Sequence, residues 1–282
     1  MPEGHTLHRL AAGLRERFAG RRVRVSSPQG RFADSAALLD GTTLVDARAW
    51  GKHLFLEFEG ERVVHVHLGL YGKFDLYDGE APPPVGQVRL RLVAHESAQR
   101  EPVSYADLRG ATACELLDPA GRGAVIARLG PDPLQPEADP TPAWERIRRS
   151  RTSIAALLMD QAVVAGIGNV YRAELLFRHR VDPFRPGTSL RLSRLEEMWA
   201  DLVVLMREGV RLGVIDTVAV PHPPSTQDRV ASADPTGTRW VYRRTGEPCF
   251  VCGTAVRTQE LVARNLYWCP RCQPRFRSRA SR

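Results

Sequence analysis

The sequence predicts an α+β protein of several domains, with a mostly β first part, a helical second part and a cysteine-bearing end. In the first part, segments such as "HLFLEFEG" alternate apolar and polar residues, which is typical of half-buried antiparallel strands. Further along, apolar residues recur at helical spacing, and four of the five cysteines then form two C-x-x-C pairs. The 282 residues are enough for two modest domains, at roughly 100 to 200 residues per domain.

The first domain is predicted to span residues 1–130. A helix is expected from about Thr6 to Ala19, which places Pro2 and Glu3 at its entrance. The helix is followed by predicted strands in "RRVRVSS", "HLFLEFEG", "RVVHVHLGLYGKF" and "GQVRLRLVAH". The domain is therefore expected to be mostly β, with one helix carrying the terminus.

A proline-rich segment separates the two patterns. The stretch "PDPLQPEADPTP" holds five prolines in twelve residues and predicts a stiff linker over residues 131–143. A helical domain, residues 144–240, is predicted from "WERIRRS", "SIAALLMDQAVV", "VYRAELLFRHR" and "SRLEEMWADLVVLMREGVRLG". In the last of these, Ser193 and Glu196 match a capping box and Gly213 a helix stop. A long loop is expected from Val214 to Thr238.

The end of the chain, residues 241–282, is predicted to be a zinc hairpin. Its C-x2-C-x16-C-x2-C spacing aims four thiolates at one ion, the donors being Cys249, Cys252, Cys269 and Cys272. Four thiolates occupy all four coordination positions of a tetrahedral zinc, so the metal is expected to be structural. Two disulfides are the alternative, and the lack of an export signal argues against them. The fifth cysteine, Cys114, is expected to be a buried apolar residue.

Charge points towards a polyanion. The net charge is +8, and nine arginines against two acids, Glu247 and Glu260, follow Val241. A solvated basic tail is an equally open interpretation. All but two of the 40 basic residues are arginine, which singles out Lys52 and Lys73. No apolar run suggests a membrane span or a signal peptide, so the expected compartment is the cytoplasm.

Two further features fit nucleic-acid binding, each with a structural alternative. In "AGIGN" two helical patterns meet, and Asn169 is expected to cap a helix whose free amides suit a phosphate. An ordinary helix-helix turn has the same pattern. Arg264 lies near the turn between the cysteine pairs, where, taken alone, a solvated arginine is the more common interpretation. His65 and His67 share one strand face but have no evident third ligand, which favours a core or surface role.

Taken together, the motifs resemble the formamidopyrimidine-DNA glycosylase and endonuclease VIII family. They run in order from residue 2 to about residue 273: "MPEG", "WGKHL", "HLGLYGKF", "RLGPDPL", "DQAVVAGIGNVYRAELLF" and the cysteine hairpin with "ARNLYWC". The resemblance implies an N-terminal β-sandwich, a helix-two-turns-helix domain and a zinc hairpin. It also implies a bifunctional glycosylase and abasic-site lyase of base excision repair, a monomer associated with the nucleoid. Its partner is double-stranded DNA containing oxidised bases or abasic sites.

The resemblance also implies roles for individual residues. Removal of Met1 makes Pro2 a terminal secondary amine, the expected nucleophile, and Glu3 matches the family's acid. Lys52 matches the lysine that assists β-elimination, and Arg264 the arginine that promotes δ-elimination. The expected product is a one-nucleotide gap with phosphate at both ends.

DNA-binding residues follow from the same comparison of motifs. Leu70 and Tyr71 match the wedge that fills the space left by the flipped nucleotide, although strand packing is an alternative for both. The remaining matches are an intercalating arginine and two phosphate contacts: Arg109, Arg128 and Asn169.

The chain also departs from the family pattern. Thr6 replaces a second glutamate, Ala155 replaces a phosphate-binding lysine, and a phenylalanine near Arg109 is missing. The wedge and the missing phenylalanine favour the endonuclease VIII branch, with oxidised pyrimidines as substrates. A zinc-containing DNA-binding protein without catalysis is the main alternative. A small-molecule enzyme using the terminal proline as a base leaves the zinc hairpin unexplained.

Overall fold

The computed structural model describes residues 2–94, 103–222 and 238–277. The chain divides into two compact units, Met1–Arg128 and Leu129–Arg282. The first unit consists mainly of strands, and the second of helices and one hairpin, which confirms the α+β class expected from the sequence. The finer division into linker, helical domain and zinc module stays a prediction.

The first unit opens with helix α1 (Gly4–Phe18) and contains two shorter helices, α2 (Ala33–Leu39) and α3 (Pro119–Ala127). Its strands are β1 (Arg21–Ser26), β2 (Thr42–Trp50), β3 (His53–Phe58), β4 (Arg62–His67), β5 (Lys73–Asp78), β6 (Val88–Ala94), β7 (Ser104–Arg109) and β8 (Ala113–Leu117). They pair antiparallel in the order β5-β7-β6-β1-β2-β3-β4-β8.

The two halves of this strand order share one core, as expected for a β-sandwich. Leu90, Leu92 and Leu108 come from one half, while Leu54 and Val66 come from the other, and all five side chains are buried in the same cluster. The apolar face of α1 completes that cluster and packs on β2 and β3. Burial of each such side chain contributes roughly 1.5–3 kcal/mol.

One predicted strand is in fact two strands and a turn. The segment "RVVHVHLGLYGKF" was expected to continue as a strand, but β4 ends at His67 and β5 starts at Lys73. Gly69 has φ +68°, a left-handed conformation that side chains disfavour. A Cβ on Gly72 would lie 2.3 Å from the Leu68 carbonyl oxygen. The two glycines therefore fold the intervening residues into a tight turn.

Among its described residues the second unit contains four α-helices: α4 (Thr141–Ile147), α5 (Ile154–Leu157), α6 (Asn169–Arg178) and α7 (Leu192–Leu212). The hairpin strands β9 (Arg257–Leu261) and β10 (Arg264–Trp268) follow. Gly213 ends α7 in a left-handed conformation, φ +76°, as the sequence predicts. The capping box expected at Ser193 is wrong, because α7 begins at Leu192 and has no side-chain cap.

The helix expected over "SIAALLMDQAVV" is also wrong beyond its first turn, because α5 ends at Leu157. Beyond it the N–H groups of Val163 and Val164 form turns back to the Asp160 carbonyl, at 2.9 and 3.1 Å, and other groups of this stretch bond to the segment around Gly130. The Gly130 N–H donates to the Gln161 carbonyl at 2.8 Å, and the Ala165 N–H to the Pro131 carbonyl at 3.0 Å. Tertiary hydrogen bonds thus replace the helical ones that the periodicity suggested.

Helix α6 is the axis of this unit, since all ten of its residues are buried. The Glu174 carboxylate accepts hydrogen bonds from three consecutive backbone N–H groups, those of Trp240, Val241 and Tyr242, at 2.8–2.9 Å. It also accepts a hydrogen bond from the hydroxyl of Thr217. One buried carboxylate thus ties two distant segments to the helix.

Arg178, one turn further along α6, is a buried cation that also bonds several segments to this helix. Its guanidinium binds the Asp201 carboxylate of α7 through two hydrogen bonds, of 2.8 and 2.7 Å. It also donates to the carbonyls of Thr217, Val220 and Pro221. These bonds satisfy a charge that is fully buried.

Among the described residues, no helix is long and apolar enough to cross a membrane.

Glu174→Gln is expected to lower the free energy of unfolding by about 3 kcal/mol. An amide NH2 in place of one oxygen would face backbone N–H donors, leaving buried groups unpaired. Urea unfolding followed by tryptophan fluorescence measures the change. Glu196→Gln, at an exposed position of α7, is the matched control and should change stability little. Equal midpoints for the two variants would contradict the role given to Glu174.

Candidate active site and zinc centre

The N-terminal residues are anchored to α1. Glu3 occupies the N-cap position and is fully buried. Its backbone N–H donates to Thr6 Oγ1 at 3.4 Å, and its side chain faces the Thr6 backbone in return, which is the reciprocal capping-box arrangement. The helix therefore starts at Gly4, two residues before the expected start. Pro2, directly before Glu3, is half-buried.

His5 lies inside this N-terminal region. It is 5% exposed, and its Nε2 lies 3.3 Å from Thr6 Oγ1. Burial, followed by the positive charges of the chain's amino terminus and His8, lowers the pKa of His5 to about 4. His5 is therefore neutral near pH 7. No motif in the sequence points to this residue.

Lys52 lies in the turn between β2 and β3, where Gly51 has φ +56°. Burial, followed by the neighbouring His67, His65, Arg128 and Lys52, lowers the pKa of His53 to about 3. The cationic groups of Lys52 and Arg128 are thus close enough to act on the same imidazole. The structure brings these two predicted DNA-contacting residues into one neighbourhood of the first unit.

A chain of hydrogen bonds runs behind this neighbourhood. Glu115 Oε1 lies 2.8 Å from His65 Nδ1, and His65 Nε2 lies 2.8 Å from His53 Nδ1. A carboxylate only accepts, so His65 Nδ1 carries the hydrogen of the bond to Glu115. Of the two roles open to His65, the structure shows the core role, because this side chain is buried. No motif pointed to His53, whose only local signal is its place after Lys52.

The predicted wedge residues are exposed. Leu70 is 41% exposed and Tyr71 86%, both in the turn between β4 and β5. The alternative of ordinary strand packing is therefore wrong for both. A Cβ on Gly110 would lie 3.4 Å from the Tyr71 carbonyl oxygen, so the end of β7 adjoins this turn. Arg109, the last residue of β7, is held there by Asp107 at 2.8 Å.

Asn169 and the hairpin strand β10 meet in the second unit. Asn169 is the first residue of α6 and not its cap, which is Gly168. Its side-chain amide donates to the Asn265 carbonyl at 2.9 Å, and its oxygen accepts a hydrogen bond from Arg172. The cap expected at Asn169 is therefore wrong, because its side chain bonds the hairpin and Arg172. The neighbour of Asn265 is Arg264, so the amide positions the strand that carries this arginine.

Arg264 follows a turn with an unusual backbone. Val262 and Ala263 both have positive φ, 55° and 52°, in a two-residue hairpin connection. A β-branched residue is rare in that region and costs of order 1–3 kcal/mol. The Arg264 guanidinium donates to the Ala263 carbonyl at 2.9 Å. The strained turn thus ends directly at the predicted catalytic arginine.

The structure also bears on Ala155, which replaces a phosphate-binding lysine of the family, and on the expected loop from Val214 to Thr238. Ala155 is fully buried in α5, and its N–H donates to the Pro183 carbonyl at 3.1 Å. The loop expected from Val214 to Thr238 lies mostly outside the described residues, since the structure does not describe residues 223–237.

The four cysteines of the hairpin come together. Their Sγ atoms all lie within 4.8 Å of one another, and none of the four forms a disulfide. The Cys249 and Cys272 sulfurs are 3.8 Å apart, and those of Cys252 and Cys269 are 3.5 Å apart. Tetrahedral zinc with Zn–S bonds of about 2.3 Å requires sulfurs about 3.8 Å apart. The donor set therefore fits one structural zinc, as the spacing predicts.

The thiols also show the charge that zinc would balance. Hydrogen bonds from Cys269 and Cys272 lower the pKa of Cys249 to about 3. Hydrogen bonds with Cys249 and Cys269, followed by burial and the negative charge of Cys249, raise the pKa of Cys272. A dication between the sulfurs relieves that repulsion. The fifth cysteine, Cys114, is buried as expected, and burial raises its pKa to about 12.

These features define a class of protein. A β-sandwich with an anchored N-terminus, followed by a helical unit with a zinc hairpin against one helix start, is the architecture of zinc-containing DNA glycosylases. Family models match in three places. The formamidopyrimidine-DNA glycosylase N-terminal domain matches residues 1–114, its H2TH domain residues 129–219, and the zinc finger found in FPG and IleRS residues 246–275.

Curated relatives align with nearly the whole chain. Endonuclease 8 1 of Mycobacterium bovis is 53% identical over 277 residues, covering 97% of this chain and all of that protein. Formamidopyrimidine-DNA glycosylase of Symbiobacterium thermophilum is 35% identical, covering 97% of this chain and 88% of that protein. The chain belongs to the formamidopyrimidine-DNA glycosylase and endonuclease VIII family. The expected enzyme class, a DNA glycosylase with abasic-site lyase activity, is confirmed by this membership.

Solved structures share the fold. Lactococcus lactis Fpg in complex with abasic-site DNA superimposes with a TM-score of 0.75 at 23% identity, covering 97% of this chain and all of that one. MutM in complex with DNA containing carbocyclic 8-oxo-G gives a TM-score of 0.76 at 22% identity, with the same coverage. The β-sandwich, helical and zinc-hairpin architecture inferred from the resemblance is therefore confirmed.

Zinc removal is expected to melt the β9–β10 hairpin, since metal binding supplies roughly 10 kcal/mol or more to such modules. Cys269→Ser should reduce the zinc content well below one ion per chain, measured by atomic absorption. Cys114→Ala removes a cysteine outside the cluster and should keep the full zinc content. If Cys269→Ser retained one tightly bound zinc, the four-sulfur assignment would be refuted.

The lowered pKa of His53 predicts acid sensitivity. Between about pH 6.5, the ordinary value, and about pH 3, the unfolded chain binds a proton at His53 that the folded chain does not. Stability therefore falls as the pH falls through this window. Replacing His53 by Gln should make the slope of unfolding free energy against pH shallower by about one proton. His8→Gln, on α1, is the control for loss of an imidazole, and slopes that matched it would contradict the prediction.

Proposed function

We propose that the protein excises oxidised bases, with pyrimidines favoured, through a Schiff base at its N-terminal proline, and then cleaves the strand by β,δ-elimination. The observation that carries this proposal is the complete burial of Glu3 at the N-cap of α1. A chain end is usually poorly ordered unless it is tied down. Anchoring of Glu3 gives the adjacent Pro2 a defined position.

Pro2 acts as the nucleophile once Met1 is removed. An α-amino group has a pKa of roughly 7.7–8.0 in model peptides, so a useful fraction is neutral near pH 7. Its nitrogen attacks the sugar C1′ and the base leaves with the glycosidic electrons. The proline nitrogen then loses its proton, and the C1′–O4′ bond breaks with O4′ taking up a proton, which opens the sugar ring and leaves an iminium. The iminium acidifies the C2′ proton, whose removal expels the 3′ phosphate. Glu3 supplies the acid that protonates the sugar ring oxygen or the leaving base.

Lys52 and Arg128 bind the phosphates beside the damaged nucleotide. Support comes from their shared position around His53, where burial is the main cause of its lowered pKa and the positive charges of Arg128 and Lys52 lower it further. Lys52, as a compact ammonium, also assists β-elimination. Because the pKa of His53 is lowered to about 3, this imidazole stays neutral and adds no charge to the cationic neighbourhood. We propose that the Glu115–His65–His53 chain holds the turn that carries Lys52.

The Leu70–Tyr71 turn fills the duplex when the nucleotide flips out. Support comes from its exposure and from the two glycines that stiffen it, since a wedge must resist the stacking energy of the bases. Arg109 lies at the adjoining end of β7 and reads the opposite strand. The apolar and aromatic pair, without a phenylalanine near Arg109, favours pyrimidine lesions.

Arg264 and Asn169 act from the second unit. The Asn169 amide bonds the strand of Arg264 at the start of α6, where free N–H groups suit a phosphate. Arg264 grips that phosphate and promotes δ-elimination, which leaves phosphate at both ends of a one-nucleotide gap. The buried Ala155 has no side chain to offer a phosphate, so Asn169 and Arg128 carry those contacts.

Thr6 replaces the family's second glutamate with a different use. Its hydroxyl accepts the Glu3 N–H and so completes the helix cap. The auxiliary carboxylate is exchanged for a tighter anchor of Glu3. We place the enzyme at the nucleoid in the cytoplasm, acting as a monomer on duplex DNA.

Borohydride trapping tests the proposal. The protein is incubated with duplex DNA containing an oxidised pyrimidine, and reduction should fix a covalent adduct at Pro2. The sequence has only two lysines, so the competing amines are Lys52 and Lys73. The K52R/K73R variant should still be trapped, because arginine stays protonated and is not nucleophilic.

The control is an N-terminal extension in two forms, one cleavable down to Pro2 and one not. Trapping should disappear with the uncleavable form and return after cleavage, while affinity for DNA is kept. Persistent trapping with the uncleavable extension would identify another amine as the nucleophile. No adduct with any damaged or abasic DNA would favour a non-catalytic DNA-binding protein of the same architecture.

A further inference from the structure

A cavity of about 660 Å³ lies in the second unit, between the loop after α6 and the segment after the last cysteine. Four arginines line it, together with hydroxyl and aromatic side chains: Arg185, Arg191, Arg194, Arg277, Thr188 and Phe276. No acidic residue is among its lining residues in the described part of the chain. We call this cavity the arginine pocket.

Specific bonds hold its two walls together. The amide of Gln273, which is 2% exposed, donates to the Val181 carbonyl at 3.0 Å. The Phe276 N–H donates to Asp182 Oδ2 at 2.7 Å, and the Arg185 guanidinium lies 4.6 Å from the centre of the Phe276 ring. The segment beyond the zinc ligands is therefore docked against the loop, and the pocket is a built feature of the unit.

The charge of the pocket is largely uncompensated. Burial, followed by the like charges of Arg194 and Arg191, lowers the pKa of Arg185, while Asp182 opposes this. The Asp182 carboxylate is occupied by backbone N–H groups, and Arg194 is paired with Glu197 at 2.7 Å. The side chains of Arg191 and Arg277 have no hydrogen-bond or ion-pair partner among the described residues.

Two features of the geometry indicate the kind of anion. Several guanidinium groups around one cavity match an anion with several oxygens and more than one charge, because each planar fork binds two oxygens. The 21-residue helix α7 starts at Leu192, beside Arg191, so its positive end adds to the field. A phosphate group has the oxygens and the charge that this arrangement requires.

We propose that the arginine pocket binds phosphate groups, at a site separate from the residues assigned to base excision. Two sources carry this chemistry: the backbone of DNA away from the lesion, and a free nucleotide or polyphosphate. The proposal goes beyond the proposed function and does not depend on it. The experiment therefore uses undamaged DNA and pyrophosphate, so that its failure is distinct from a failure of catalysis.

The test compares two double variants of the full, zinc-loaded chain. R191Q/R277Q removes the two unpartnered charges of the pocket. R146Q/R207Q removes two exposed charges elsewhere in the same unit and is the matched control. Calorimetric titration with pyrophosphate at low salt should show binding by the control and roughly tenfold weaker binding by R191Q/R277Q.

A second arm measures undamaged duplex binding by fluorescence anisotropy at several salt concentrations. If DNA backbone occupies the pocket, R191Q/R277Q should lower the slope of log affinity against log salt by about 2 relative to the control. An effect on pyrophosphate alone identifies a free phosphate ligand, and an effect on the duplex identifies DNA. Binding equal to the control in both arms would overturn the proposal.

Melting temperature and zinc content check that the variants fold. If the double variant is unstable, Arg277→Gln alone keeps the test open, because Arg277 is exposed and its side chain bonds no described residue. Pyrophosphate and duplex binding by this single variant should also be weaker than by Arg207→Gln. Equal binding in both assays would again overturn the proposal.

Discussion

A fully buried carboxylate organises the unit that carries the zinc hairpin. Glu174 accepts hydrogen bonds from three consecutive backbone N–H groups, those of residues 240–242, and from the Thr217 hydroxyl. Both of these segments are thereby fixed to α6. Arg178 does the same for α7 and the loop beyond it. Such charges are costly to bury, and only this complete set of hydrogen bonds offsets the cost. The positions of β10, Asn169 and the arginine pocket all depend on that helix.

In the first unit, the turns and helix ends must hold exposed side chains in defined positions. Its candidate site residues lie at strand and helix ends: Pro2 and Glu3 before α1, Lys52 between β2 and β3, Leu70 and Tyr71 between β4 and β5. Glycines in tight conformations and the Glu3–Thr6 cap restrict these segments. A common core beneath them, shared by both halves of the sheet, supplies the rigidity. Functional side chains are thus exposed on a stiff support.

Local patterns were predictable because the physics behind them is local. Alternation indicated β1, β3 and β6, and the cysteine spacing indicated the metal site. The long strand expected over residues 62–74 and the long helix expected over 153–164 were wrong. The spacing of apolar residues does not show where glycines form a turn, or where the backbone bonds to a distant segment instead of to its own helix. The Asn169 cap failed for the same reason, since its partner, Asn265, is distant in the chain.

By itself, the sequence determined the class of fold, the zinc ligands and the family, because each is written in spacing along the chain. Only the tertiary structure decided that the charged residues of α6 are buried, that His53 joins His65 and Glu115, and that four arginines line one cavity. These groups come from separate segments, and their burial and pKa depend on neighbours that no local pattern records. Long-range packing decides which charges meet.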